Sequence, residues 1–336
     1  MKKRMRALLL SVLLLTACTA APAVRKTADA SAEKTSGVGF YFDTVVTLTL
    51  YGAPEGLMEE LWQTCGRYEQ LLSRTVEGSD VHRINHAGGQ TVTVDAETWA
   101  ILARAKELSE KSGGAFSVTI APMSTQWDFT GGTQKMPTEE ERLAAIPLVN
   151  DDLLVLGDNN TVTLPAGMSI DLGGIAKGYI ADQIAEMIRD KVSGATLNFG
   201  GNVYAVGCKP DGSLFNIGIS HPQSPSAAIA AAKVKDTSVV TSGTYQRYFE
   251  KDGVTYHHIL DPKTGLPSNS GLCSVTIITQ SSMTADALAT ACVVLGKEAS
   301  LKLLAELGYD ALFIDDQMNI TTTPDFTNRY PLQTAG

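Results

Sequence analysis

The stretch IDLGGIAKGYIADQ, residues 170–183, runs two adjacent glycines and a lysine straight into a helical apolar pattern. Ala176, Ile180, Ile184, Met187 and Ile188 recur at the spacing of one helix face. Gly173 and Gly174 therefore sit where a loop becomes a helix, and without Cβ atoms the backbone there can approach a ligand closely. Such a helix start offers unpaired N–H groups and the positive end of the dipole, which suits phosphate oxygens. Lys177 adds a cation on the first turn, and Asp171 can accept N–H or O–H groups of a ligand. Neither G-x-x-x-x-G-K-[ST] nor G-x-G-x-x-G is present. The same residues also make an ordinary tight turn with a solvated lysine, and on their own they do not choose.

The stretch is a pivot in the chain. Upstream lie helices: Leu57, Leu61, Cys65, Tyr68 and Leu72 share one face, and 96–111 is a second helix with Trp99, Leu102 and Leu108 inward. The polar stretch 73–85 separates them, after an alternating β-branched strand at 41–50. Downstream come short strands at 195–199, 214–219, 232–240, 254–260 and 274–279, then helices at 283–295 and 298–307 and two last short strands. Strands mixed with segregated helices predict an α+β fold with mixed or antiparallel sheets rather than a doubly wound one.

The ends and the composition place the chain. Lys2, Lys3, Arg4 and Arg6 precede an apolar core at 7–15, too short to span a bilayer, so 1–17 reads as an export signal. It ends in Leu-Thr-Ala-Cys, resembling the bacterial lipobox, with Cys18 as the lipidated residue. Residues 18–36 read as a flexible tether and 37–336 as the folded domain. The expected location is the extracytoplasmic face of a bacterial membrane, reached through the lipid alone. Losing the leader's four basic residues takes the net charge from −9 to −13, the wrong sign for a nucleic-acid partner. Cys65, Cys208, Cys273 and Cys292 have no zinc spacing and read at least as well as buried thiols.

Three further segments carry chemistry-bearing residues. Asp286 and Thr290 are four apart, so a helix sets a carboxylate and a hydroxyl on one face, a pair suited to Mg²⁺. Ser282 reads as the cap of that helix, and an acidic first turn alone would account for Asp286. His258 ends an apolar strand before the D-P-K-T-G turn at 261–265, where imidazole could serve as a base. Residues 240–247, VTSGTYQR, place small hydroxyls beside a glycine.

Taken together the motifs resemble the ApbE family of FAD:protein FMN transferases. The blocks are D-L-G-G-I-A-K-G-Y (171–179), N-F-G-G-N (198–202), T-S-G-x-Y (241–245), H-I-L-D-P-K-T-G (258–265) and A-D-A-L-A-T (285–290), with weaker ones at 72–80 and 114–122. The resemblance implies an ApbE-like fold and binding of FAD as substrate through its pyrophosphate. It further implies Mg²⁺-dependent transfer of FMN to a Thr or Ser hydroxyl of another exported protein, with AMP leaving. On the matching positions, Asp286 and Thr290 hold the metal with backbone carbonyls of the loop at Gly174 and Ala176. The flavin contacts fall on Phe42, Thr75, Ala121, Pro122, Met123, Asp171, Lys177, His258, Ile259 and Leu260. His258 would activate the acceptor hydroxyl and Lys177 would assist charge neutralisation. Three positions depart from the family pattern: Phe42 stands where methionine is common, Ser117 replaces an aspartate, and Thr75 replaces an aromatic residue.

An FAD carrier or an FAD hydrolase would use the same residues, with water in place of the acceptor. A penicillin-binding reading of Lys263-Thr264-Gly265 fails, because its S-x-x-K counterpart at Ser31 falls in the tether and no S-D-N element lies between. His82 and His86 are four apart, but Asn85, Gly88 and Gly89 make that segment a turn, and no zinc is assigned.

Overall fold

The computed structural model describes residues 31–130 and 132–334. The signal segment, Cys18 and the tether up to residue 30 lie outside the described residues.

The centre is an eight-stranded sheet made of Lys34–Tyr41, Thr44–Tyr51, Gly194–Phe199, Asn202–Gly207, Thr237–Gly243, Leu272–Thr279, Asp310–Asp315 and Ile320–Thr322. These strands lie side by side in chain order, and every neighbouring pair is antiparallel. Each excursion between neighbours therefore leaves the sheet and returns beside its starting point. The longest excursion, between Thr44–Tyr51 and Gly194–Phe199, holds helices Leu57–Leu72, Ala96–Lys111 and Ala176–Ile188.

Successive strand residues point to opposite faces, and both faces of this sheet are covered. In Asp310–Asp315, Ala311 and Phe313 join the helix-side core while Leu312 and Ile314 join the other. Val240 and Val239 divide in the same way. The helix side contains Ala176–Ile188 and Ser282–Leu295, the second being the more completely buried. On the opposite face a three-stranded sheet of Phe215–His221, Ser224–Val234 and Leu332–Thr334 packs through Phe215, Ile217, Ile219, Ala230 and Ala232. Burial on both faces explains why Leu272–Thr279 is buried at successive positions, Ser274 and Thr276 included.

The α+β class and the antiparallel sheets stand as expected, with local corrections. The strand expected at 41–50 is one arm of a hairpin whose other arm, Lys34–Tyr41, begins inside the stretch read as tether. Its turn is Phe42–Asp43, both left-handed with φ of 56° and 55°. Non-glycine residues there cost of order 1–3 kcal/mol each and persist only where neighbours hold them. The strand expected at 232–240 is two strands in different sheets, broken at Asp236, whose φ is 48°. The strand Val254–His257 stops short of His258. Asp80–Asn85 is a helix capped by Ser79, not a turn, because the Ser79 hydroxyl accepts the His82 N–H. The cap of Ser282–Leu295 is Ser281, one residue earlier than read. Cys65, Cys208, Cys273 and Cys292 are all free thiols. Among the described residues no helix is long and apolar enough to cross a membrane.

Candidate active site

The glycine loop is held from three directions before its helix begins. The Asn85 side chain donates to the Ile170 carbonyl at 2.9 Å and accepts the Ile170 N–H at 2.7 Å. The Asp171 N–H donates to the Val118 carbonyl at 2.8 Å. The Asp171 carboxylate accepts the Gly173 N–H at 2.8 Å and pairs with Arg74 at 3.0 Å. This side chain is thus already committed to shaping the loop.

Helix Ala176–Ile188 then packs against Ser282–Leu295 with no room for a side chain at Gly178. A Cβ there would stand 2.3 Å from the Ser282 carbonyl oxygen. The close approach lets the Gly178 N–H donate to Asp286 Oδ2 at 3.1 Å. In a regular helix that N–H would close on the Gly174 carbonyl. Diverted, it leaves the Gly174 carbonyl without a partner among the described residues. The amides of Gly174 and Lys177 likewise have no partner among the described residues.

Asp286 is only 3 % exposed. Its Oδ2 faces Lys177 Nζ at 3.5 Å, and its Oδ1 accepts no hydrogen bond among the described residues. The Lys177 ammonium also donates to the Gly173 carbonyl. One turn on, Thr290 Oγ1 donates to the Asp286 carbonyl at 3.2 Å and lies 3.3 Å from Ser242 Oγ. A Cβ built on Gly174 would be 3.7 Å from Thr290 Oγ1, so loop and helix face each other there. The Asp286 carboxylate, the Gly174 carbonyl and the Thr290 hydroxyl form an all-oxygen set fitting a hard cation. Asp182 supports it from beneath, accepting the N–H groups of Ser282 at 2.7 Å and Met283 at 3.0 Å. Burial, opposed by those hydrogen bonds and reinforced by the charge of Asp286, pushes Asp182 up to about 6.

His258 is half-buried, and its Nδ1 is buried without a partner. Its backbone N–H donates to the Arg247 carbonyl at 3.1 Å. Burial first, then the charges of Arg247, His257 and Lys177, push its pKa from 6.5 down to about 3. The imidazole is therefore neutral at neutral pH. The folded protein binds fewer protons here than the unfolded chain, so this contribution to stability is complete above 6.5 and lost as pH falls towards 3. The profile of kcat/KM against pH is expected to show no inflection near 6.5 from this residue. An inflection there that vanishes in His258→Asn would contradict the assignment.

The chain and its fold are similar to those of known proteins. The family model for ApbE matches residues 42–313. The chain belongs to the ApbE family. It is 37% identical over 294 residues to the FAD:protein FMN transferase of Treponema pallidum (strain Nichols), covering 81% of this chain and 80% of that one. A transferase of the same name from Klebsiella pneumoniae (strain 342) is 36% identical over 282 residues, covering 82% and 87%. The crystal structure of the ApbE protein of Thermotoga maritima superposes with a TM-score of 0.82 at 32% identity, covering 88% of this chain and 99% of that one.

In this ApbE-family chain the expected site residues separate into two groups. Gly174, Lys177, Asp286 and Thr290 meet where the two helices touch, with Asp171 joined through Gly173 and Ala176 as the first residue of one helix. The second group lies beyond the Asp171 N–H bond to the Val118 carbonyl, three residues before Ala121. Ala121, Met123, Ile259 and Leu260 are buried, with exposures of 1%, 1%, 4% and 5%, and little of their side chains is open to a ligand. Met123 and Leu260 instead pack with Trp127, Phe249 and Tyr256. Pro122 is half-buried, and Thr75 is exposed beside Ser73.

Several residues were not marked from sequence. Arg74, Asp182, Ser242 and Arg247 all touch the site, and each lies in a stretch already named, at 72–80, 170–183 and 240–247. Asp151 is another. Its buried carboxylate accepts from Ser117 Oγ at 2.7 Å, Thr119 Oγ1 at 2.6 Å, and the N–H groups of Thr119 and Val118. It supplies from elsewhere in the chain a carboxylate beside Ser117.

Proposed function

We propose that this protein transfers FMN from FAD to a Thr or Ser hydroxyl of another exported protein, with Mg²⁺ held at Asp286, Thr290 and the backbone carbonyls of Gly174, in the loop, and Ala176, the first residue of its helix. The observation that carries the reading is the pair of unpartnered oxygens, Asp286 Oδ1 and the Gly174 carbonyl, beside Thr290 and the Lys177 ammonium. When bound, Mg²⁺ supplies charge neutralisation at the pyrophosphate. Phosphoryl-type transfer needs mainly positioning and charge, not a protein nucleophile.

The chain's own residues divide that work. The free amides of Gly174 and Lys177, at the start of a 13-residue helix, face phosphate oxygens as the dipole favours. Lys177 adds a positive charge beside them. The His258 imidazole accepts the proton of the acceptor hydroxyl as its oxygen bonds to the FMN-side phosphorus. The bond to the other phosphate breaks, and AMP leaves with the electron pair. A neutral base is required for this, and the surroundings of His258 keep it neutral. We further place the protein outside the cytoplasm, tethered through lipid on Cys18.

Metal removal tests the reading. With FAD and an acceptor flavoprotein domain, EDTA is expected to stop AMP formation and excess Mg²⁺ to restore it. AMP formation unaffected by EDTA would sink the metal assignment. AMP and free FMN beside an unmodified acceptor would make the protein a hydrolase, and FAD bound tightly but left intact would make it a carrier.

A further inference from the structure

The hairpin turn Phe42–Asp43 is pinned at both ends by charged side chains. Glu69 Oε1, from helix Leu57–Leu72, accepts the Phe42 N–H at 2.8 Å. Arg247 Nη2 donates to the Asp43 carbonyl at 2.7 Å across more than two hundred residues of chain. Both turn residues are left-handed, a conformation uncommon for Asp and a genuine outlier for a bulky residue such as Phe. Charge-assisted bonds are among the stronger single contacts available to hold it. The Phe42 ring lies 6.4 Å from that of Phe199, at the end of the sheet where Gly243 and the T-S-G motif also lie. Arg247 reaches the other side of the site as well, because its own carbonyl accepts the His258 N–H at 3.1 Å. One residue thus joins the turn carrying Phe42 to the backbone carrying the base. That guanidinium bond to Asp43 is its one side-chain hydrogen bond among the described residues.

We propose that Arg247 is a positioning residue that latches the strained Phe42–Asp43 turn against the segment bearing His258, and so sets the affinity of the site for FAD. This rests on the flavin reading above, which places Phe42 at the ligand. The latch itself does not, since it concerns the turn whether or not a ligand is present. Loss of Arg247 frees the Asp43 carbonyl, and the turn relaxes towards ordinary backbone angles, carrying Phe42 away from Phe199. Catalysis by ligand already bound depends on Lys177, Asp286 and His258, which keep their places; the change removes one charge that lowers the His258 pKa, while burial, the larger cause, remains.

The test uses the full chain with Arg247→Ala, Arg247→Gln and Arg247→Lys. Two quantities are read: amide hydrogen exchange of a peptide spanning 41–45, without ligand, and the split of FAD turnover into KM and kcat. A lost charge-assisted bond corresponds to roughly tenfold to a hundredfold. Exchange in Arg247→Ala is expected to quicken, and KM for FAD to rise, by about that range, with kcat falling much less. Arg247→Lys, which keeps a charged donor, should recover part of both effects, and it carries the test if the alanine variant fails to fold. Unchanged exchange and KM in all three variants would overturn the proposal. So would a fall in kcat at constant KM, which would put Arg247 in the chemistry. If wild-type protein neither binds nor turns over FAD, the functional reading falls, while the exchange result still decides whether the latch exists.

Discussion

Replacing Asp286 by alanine is expected to lower FMN transfer by about a thousandfold or more, the loss of a metal-linked contribution of several kcal/mol. The substitution removes the only carboxylate of the oxygen set and leaves Lys177 without its ion-pair partner. It also orphans the Gly178 N–H, a buried donor whose loss of partner costs about 1–3 kcal/mol. Asp286→Asn separates these effects. The amide oxygen can still accept from Gly178 but carries no charge, so the variant should fold much as wild type does and still be inactive. Calorimetric titration with Mg²⁺ alongside the activity assay reads both properties. An asparagine variant with near wild-type turnover would show that the charge is not needed there.

Gly178→Ala should be damaging for a different reason. In a helix this change ordinarily stabilises by up to about 1 kcal/mol. Here the new Cβ would meet the Ser282 carbonyl oxygen at 2.3 Å, its carbon at 2.5 Å and Met283 Cα at 2.7 Å. All three are backbone atoms, so no side-chain rotation relieves the clash and the two helices must separate. Overpacking of this kind typically costs 1–3 kcal/mol, and about 3 kcal/mol of destabilisation is expected. Separation also stretches the Gly178–Asp286 bond and moves the Gly174 loop off Thr290. A misplacement near 1 Å can cost about a hundredfold in rate, so activity should fall by that order even where the protein remains folded. Chemical denaturation gives the first number and transfer at saturating FAD the second. A variant as stable and active as wild type would mean that the helices pack less closely than described.

The pair Asp286 and Thr290 was legible because helical spacing alone sets residues four apart on one face. The helices were legible for the same reason, their apolar faces repeating with the helix period. The sheet order was not, since each neighbouring strand is reached through an excursion whose length says nothing of where it returns. The hairpin turn at Phe42–Asp43 was hidden because neither residue is a glycine or asparagine, and the apolar alternation runs straight through it. The strand break at Asp236 was missed similarly. The contacts of Arg74 with Asp171, Asp151 with Ser117, and Arg247 with Asp43 join distant segments. A single sequence carries no sign of such pairs beyond the charges themselves. The diversion of the Gly178 N–H away from Gly174 is of the same kind, because it depends on how closely two helices pack. The glycine in A-K-G-Y was visible, but the Ser282 backbone it must admit was not.

The central claim is that the Lys177–Asp286–Thr290 site moves FMN onto another protein. The measurement that tests it most directly is the intact mass of an exported acceptor domain after incubation with this protein, FAD and Mg²⁺. A gain of one covalent FMN per acceptor, matched by an equal amount of AMP and absent with Asp286→Asn, is the predicted result. An acceptor of unchanged mass while FAD is consumed, or one modified equally well by the Asp286→Asn variant, would contradict it.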